Sequence, residues 1–118
     1  MTDLHKRTDQ QIRALLLALG NAYLDGFRKN IDTDGLDERD LAFEAGLIEP
    51  SEMELSTYAT QKRGRILQLL SEIAERGWIT MYEKPPVGAF RVFISQEGIT
   101  KFNELNLAWW KKFFKWFI

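Results

Sequence analysis

The spacing of the apolar residues changes once along this chain, at Gly77, and that change limits what the chain can fold into. Before it, Tyr58, Ala59, Ile66, Leu69, Leu70, Ile73 and Ala74 recur at the three- and four-residue intervals of a helix face. After it, Trp78-Ile-Thr-Met-Tyr-Glu-Lys84 alternates with period two and reads as a strand. Pro85-Pro-Val-Gly88 then breaks the strand, because proline has no N–H for a ladder and glycine accepts unusual dihedrals. Ala89-Phe-Arg-Val-Phe-Ile94 reads as the returning strand. A lone hairpin cannot hold itself together in water, so helices must cover it. The expected class is mainly α with a small β-hairpin.

The rest of the chain supplies the helices. Thr8 with Gln11 has the pattern of a capping box, and Ile12, Leu15, Leu16, Leu19, Ala22, Tyr23 and Phe27 follow at helical spacing. Leu17 and Leu24 widen that stripe, so this first helix, ending near Gly26, should be covered on more than one side. Residues 1–7 are polar and read as a flexible leader. Asn30 to Asp37 is a loop with an Asp-Gly turn, and Asp37 is placed to cap a short helix over Glu38–Ala45, stapled by Leu36 and Leu41 and stopped by Gly46. A polar connector containing Pro50 leads to the third helix, about Thr57 to Arg76. Ser95 can cap a last helix starting at Gln96. Tyr23, Phe27, Phe43, Trp78, Phe90 and Phe93 are expected in the core, with Trp78 plugging the hairpin onto the third helix.

With 118 residues the chain is expected to form one domain. It has no cysteine, a polar N-terminal stretch and no run of eighteen apolar residues, which together predict a cytoplasmic location. The net charge of −1 is unevenly spread: residues 1–57 carry twelve acids and six bases, residues 58–118 five acids and ten bases. Either one face meets an anionic partner or the two halves attract each other within one fold.

Asp40-Leu-Ala-Phe-Glu-Ala-Gly-Leu47, then Ile66 to Ile79 with its apolar positions closing on Gly77, then Arg91-Val-Phe-Ile-Ser-Gln-Glu-Gly98, occur in an order that resembles the winged helix-turn-helix family. The general shape is similar to MarR-like and PadR-like regulators. The likeness covers about residues 38–105. One departure is the connector from Gly46 to Thr57, which is longer than the usual turn of about three or four residues. The resemblance implies a winged helix-turn-helix fold with an added N-terminal helix and a long C-terminal helix. It further implies a dimeric DNA-binding regulator whose third helix enters the major groove of double-stranded DNA with its N-terminal half. At 100° per residue, Thr60, Gln61, Gly64, Arg65 and Gln68 point away from the apolar face. Arg65 matches guanine, and Gln61 or Gln68 matches adenine. Ser56, Thr57, Lys62 and Arg63, with Lys84 and Arg91 on the hairpin, are placed to reach phosphates.

The last twelve residues hold six of the fifteen aromatics. On a helix, Trp109, Trp110, Phe113, Phe114, Trp116 and Phe117 surround a narrow stripe of Lys111, Lys112 and Lys115. Such a face needs a cover. The preferred cover is a second copy, giving a homodimer; the alternative is an interaction module docked to a partner protein or an anionic membrane surface. No cofactor, metal or catalytic residue is expected. Asn30, Asp32, Asp34 and Gly35 imitate half a calcium loop, but Asp37 and Leu41 stand where an apolar residue and a bidentate Glu belong. The only histidine, His5, has no partner set for a triad or metal cluster, and no glycine-rich phosphate loop occurs.

Overall fold

The computed structural model describes residues 2–28, 35–84 and 88–114, with side chains described over 6–26, 35–83 and 88–107. The order is α1 (Thr2–Arg28), β1 (Leu36–Asp37), α2 (Glu38–Glu44), α3 (Leu55–Gln61), α4 (Arg63–Glu75), β2 (Ile79–Lys84), β3 (Ala89–Ile94) and α5 (Gln96–Phe114). A single 3-10 turn, Pro50–Glu52, lies in the connector. The fold is mainly helical with a small antiparallel sheet of three strands in the order β1-β3-β2.

The hairpin forms as expected, in register from Ile79 opposite Ile94 to Lys84 opposite Ala89. Its outer face carries a stacked diagonal pair, Tyr82 and Phe93, with ring centroids 5.5 Å apart. β1 adds a third strand, pairing Leu36 with Val92 and Asp37 with Arg91. Two residues are too few to show alternation, so this strand is invisible as a pattern. Asp37 both ends β1 and caps α2, accepting hydrogen bonds from the backbone N–H groups of Arg39 and Asp40. Gly46 and Gly77 close α2 and α4 at φ of 76° and 79°.

Several expectations are corrected. α1 begins at Thr2, so the segment expected as a flexible leader is helical from its second residue, and Thr8 lies within the helix rather than at its cap. The third helix is two: the backbone leaves helical geometry at Lys62 (φ −120°, ψ −30°). That break resets the helix phase, so Tyr58 is buried while Ala59, placed on the inner face by a continuous count, is exposed. Tyr23 and Phe43 are 42% and 37% exposed rather than core. Trp78 is half-buried and packed against the core rather than within it; the Arg76 guanidinium lies 5.2 Å and the Lys101 ammonium 5.5 Å from its ring. Phe90 and Phe93 are half-buried, and the Phe27 side chain lies outside the described ones.

One core joins all layers: Ile12, Leu15 and Leu19 of α1, Leu41 and Ala42 of α2, Tyr58 of α3, Ile66 to Ile73 of α4, Ile79 and Val92 of the sheet. α5 starts on the expected cap, the Ser95 hydroxyl accepting from the Gly98 N–H at 3.0 Å. It then runs antiparallel to α1. Phe102 is buried against Gly20, and Lys101 and Leu105 share a cleft with Ile12 and Leu16.

Candidate nucleic-acid interface

Four of the charged groups expected on the reading face, Lys62, Arg63, Arg65 and Arg91, have partners within the molecule. Arg63 is the most committed. Its Nε donates to Glu38 Oε1 at 2.7 Å and one Nη to the Gly88 carbonyl at 2.6 Å. Glu38 is only 2% exposed, the one buried charged residue among those described. One guanidinium therefore ties the start of α2, the start of α4 and the turn end of the hairpin together. The fit raises the Arg63 pKa, chiefly through the hydrogen bond to Glu38. The buried Tyr58 hydroxyl stands beside this pair without completing a hydrogen bond. Its phenol is pushed well above the usual range, first by desolvation and then by the Glu38 charge. The role given to Arg63 as a phosphate ligand is corrected accordingly: it is a structural clamp. The burial of Glu38 leaves no mark in the sequence, where it is only an acid in the first turn of a short helix.

Arg65 does face outward from the core, but α1 passes beside it. Its guanidinium donates to Thr8 Oγ1 at 3.0 Å, Gln11 Oε1 at 2.9 Å and Gln68 Oε1 at 3.2 Å. All three acceptors are neutral, and each such bond contributes only about 0.5–1.5 kcal/mol net. Lys62 pairs with Glu52 at 3.1 Å. Glu52 in turn has its pKa lowered, first by the Glu49 backbone N–H and then by Lys62. Arg91 Nη2 donates to the Gly35 carbonyl at 2.9 Å, which pulls it toward β1 and away from the turn of the hairpin. The Lys84 side chain lies outside the described ones.

The uncharged candidates are better exposed. Ser56, Thr60, Gln61 and Gln68 face solvent, and Thr57 is half-exposed. The Ser56 hydroxyl donates to Glu54, and the Thr60 hydroxyl to the Ser56 carbonyl at 2.9 Å. Gly64 leaves open space beside it, since a Cβ there would meet nothing within 4 Å. Three carboxylates, Glu49, Glu52 and Glu54, stand at the approach to α3. The surface is thus polar with mixed charge, not a basic stripe.

Part of the charge asymmetry is matched within the fold, among the described residues. Glu52–Lys62, Glu38–Arg63 and Asp9–Arg76 each join an acid of the first half to a base of the second. Among the described residues no His/Cys/Asp/Glu group could hold a metal ion, and no helix is long and apolar enough to cross a membrane. Trp109, Trp110, Phe113 and Phe114 fall in the last turns of α5 with side chains outside the described ones; Trp116 and Phe117 lie beyond the described residues. No protein-family model, no curated protein and no solved structure matches the chain.

Proposed function

We propose that this chain is a winged-helix DNA-binding protein acting as a homodimeric regulator. The observation that carries the reading is the exposure of Ser56, Thr60 and Gln61 on α3 and of Gln68 on α4, with the hairpin held to the start of α4 by Arg63. In this reading α3 and the start of α4 approach the major groove, and β2–β3 is the wing. Gln61 and Gln68 read adenine, and Arg65 reads guanine after exchanging neutral acceptors on α1 for a base edge. The exchange is inexpensive because surface bonds of this kind are replaced one for one. Lys62, whose side chain is 38% exposed, leaves Glu52 at a modest cost, since ion pairs near the surface contribute about 0–1 kcal/mol. With few cations on the face, one copy binds weakly, and two copies spaced about one DNA turn apart supply the remainder.

The test is fluorescence anisotropy on mixed-sequence duplex DNA across a salt series. Binding should strengthen at low salt with a log–log slope of about −0.9 per phosphate engaged. Arg65→Ala should weaken binding and relax base preference by about 1–3 kcal/mol, and Lys84→Ala should weaken all sequences alike. Wild type without affinity at low salt would sink the DNA reading.

A second reading has its own support. Arg63 and Arg91 are bound to carboxylate and carbonyl partners within the chain, and three glutamates flank the start of α3. Those features fit a winged-helix module that does not bind DNA and docks to a partner protein or an anionic membrane surface through its C-terminal aromatic and lysine helix. A chain that ignores DNA at every salt concentration yet keeps its fold belongs to this reading.

A further inference from the structure

An apolar groove of about 300 Å³ opens between the C-terminal half of α1 and the β1–β3 edge. Leu19, Ala22 and Tyr23 form one wall; Leu36, Phe93 and Ile94 form the other. Gly35, at φ 74°, is at its edge, where a Cβ would press on the Phe93 ring and the Val92 carbonyl. The exposed ring of Tyr23 is part of its rim.

We propose that this groove receives the C-terminal aromatic segment, Trp109 to Ile118, of a second copy of the chain. The inference rests on the homodimer reading and specifies its contact. Direction excludes the chain's own segment. α5 is antiparallel to α1, with Phe102 at Gly20 and Leu105 near Ile12 and Leu16. Beyond Leu105 it therefore advances toward the N-terminus of α1. At 1.5 Å per residue, Phe114 lies about 18 Å past Phe102, away from the groove at Leu19 to Tyr23. A two-fold axis perpendicular to α1 reverses that relation. It sets the partner's α1 antiparallel to this one, so each α5 runs toward the C-terminal end of the other copy's α1, where the groove lies. Symmetry then fills two grooves with two identical segments. Two segments, each inserting about two or three aromatic side chains at about 150–250 Å² apiece, supply a large part of the roughly 1,600 Å² of a standard interface. Lys111, Lys112 and Lys115 remain on the solvent side of the segment.

The absence of cysteine makes a clean test. Full-length Ala22→Cys and Ile118→Cys chains, one carrying a size tag, are mixed and mildly oxidised, and the double variant is oxidised alone at high dilution. The expected result is a mixed 22–118 disulfide between chains as the dominant product, with a mass by light scattering of twice 13.8 kDa before oxidation. A 22–118 bond within one diluted chain overturns the proposal, because the segment then folds back on its own groove. A chain that is dimeric but yields no mixed disulfide also overturns it, while the homodimer reading stands on another contact. A monomer at all concentrations overturns both, and a monomer that sediments with vesicles of phosphatidylglycerol and phosphatidylcholine assigns the segment to lipid. Ala22→Trp keeps the helical circular dichroism of the wild type and fills the groove; it should raise the dimer dissociation constant at least tenfold. An unchanged constant counts against the groove.

Discussion

Arg63 and Glu38 show how one residue pair can hold three elements in place. A carboxylate at 2% exposure is costly unless its charge is matched, and Arg63 supplies the match while also holding the Gly88 carbonyl. Arg63→Ala should destabilise the fold by about 3 kcal/mol, at the low end for broken buried pairs because the guanidinium is 33% exposed. Urea denaturation measures this; a change below about 1 kcal/mol would show that Glu38 is hydrated in the native state. Tyr58 gives a pH signature at the same place. Its phenol is raised from an ordinary value of 10.0, so above that pH the unfolded chain releases a proton that the folded chain retains. Stability is therefore fully present below pH 10 and falls as pH rises toward the folded value, by up to about 1.4 kcal/mol per pH unit. Tyr58→Phe should remove that slope, measured as urea midpoints on either side of pH 10, and change little at neutral pH because the hydroxyl has no hydrogen-bond partner to lose.

At the scale of elements, two glycines decide where α5 lies. A Cβ on Gly20 would overlap the Phe102 ring, and one on Gly98 would overlap the Trp78 carbonyl. Both sites are closed by close packing rather than by backbone dihedral, since neither glycine has a positive φ. Gly20→Ala gains about 1 kcal/mol of helix propensity but forces α5 off α1, which costs about 1–3 kcal/mol. The net result should be a loss of stability that is largely recovered in Gly20→Ala/Phe102→Leu, a coupling readable in a double-mutant cycle. Additive losses would mean that α5 moves freely over α1. Gly98→Ala meets backbone, not a flexible ring, and no single side-chain change should rescue it.

At the scale of the whole molecule, charge works inward. Among the described residues, acids of the first half and bases of the second meet in three ion pairs, and only one of these, Glu38–Arg63, has a buried partner. Raising ionic strength should therefore lower stability only slightly, because a buried pair is screened far less than exposed ones. Salt should act strongly on DNA binding if that reading holds, and weakly on self-association through an aromatic segment. Thermal midpoints, anisotropy and light scattering over one salt series separate the three responses. Equal salt dependence of DNA binding and association would mean that both run through the same charges.

Local pattern alone determined the two hairpin strands, the Asp37 and Ser95 caps, the glycine stops at Gly46 and Gly77, and most of the core from Ile12 to Ile73; the break expected at Pro85 lies outside the described residues. Those features follow from period, dihedral preference and side chains that bond to neighbouring backbone, all of which are local. The tertiary structure decided what depends on residues distant in sequence. It added β1 to the sheet, split the third helix at Lys62, buried Glu38 and turned Arg63, Arg65 and Arg91 toward partners on α2, α1 and the segment before β1. Helix phase could show that Arg65 points away from the core, but not that α1 passes beside it. A long cation takes the nearest acceptor in space, and which acceptor is nearest is set by the packing of whole elements, not by spacing along the chain.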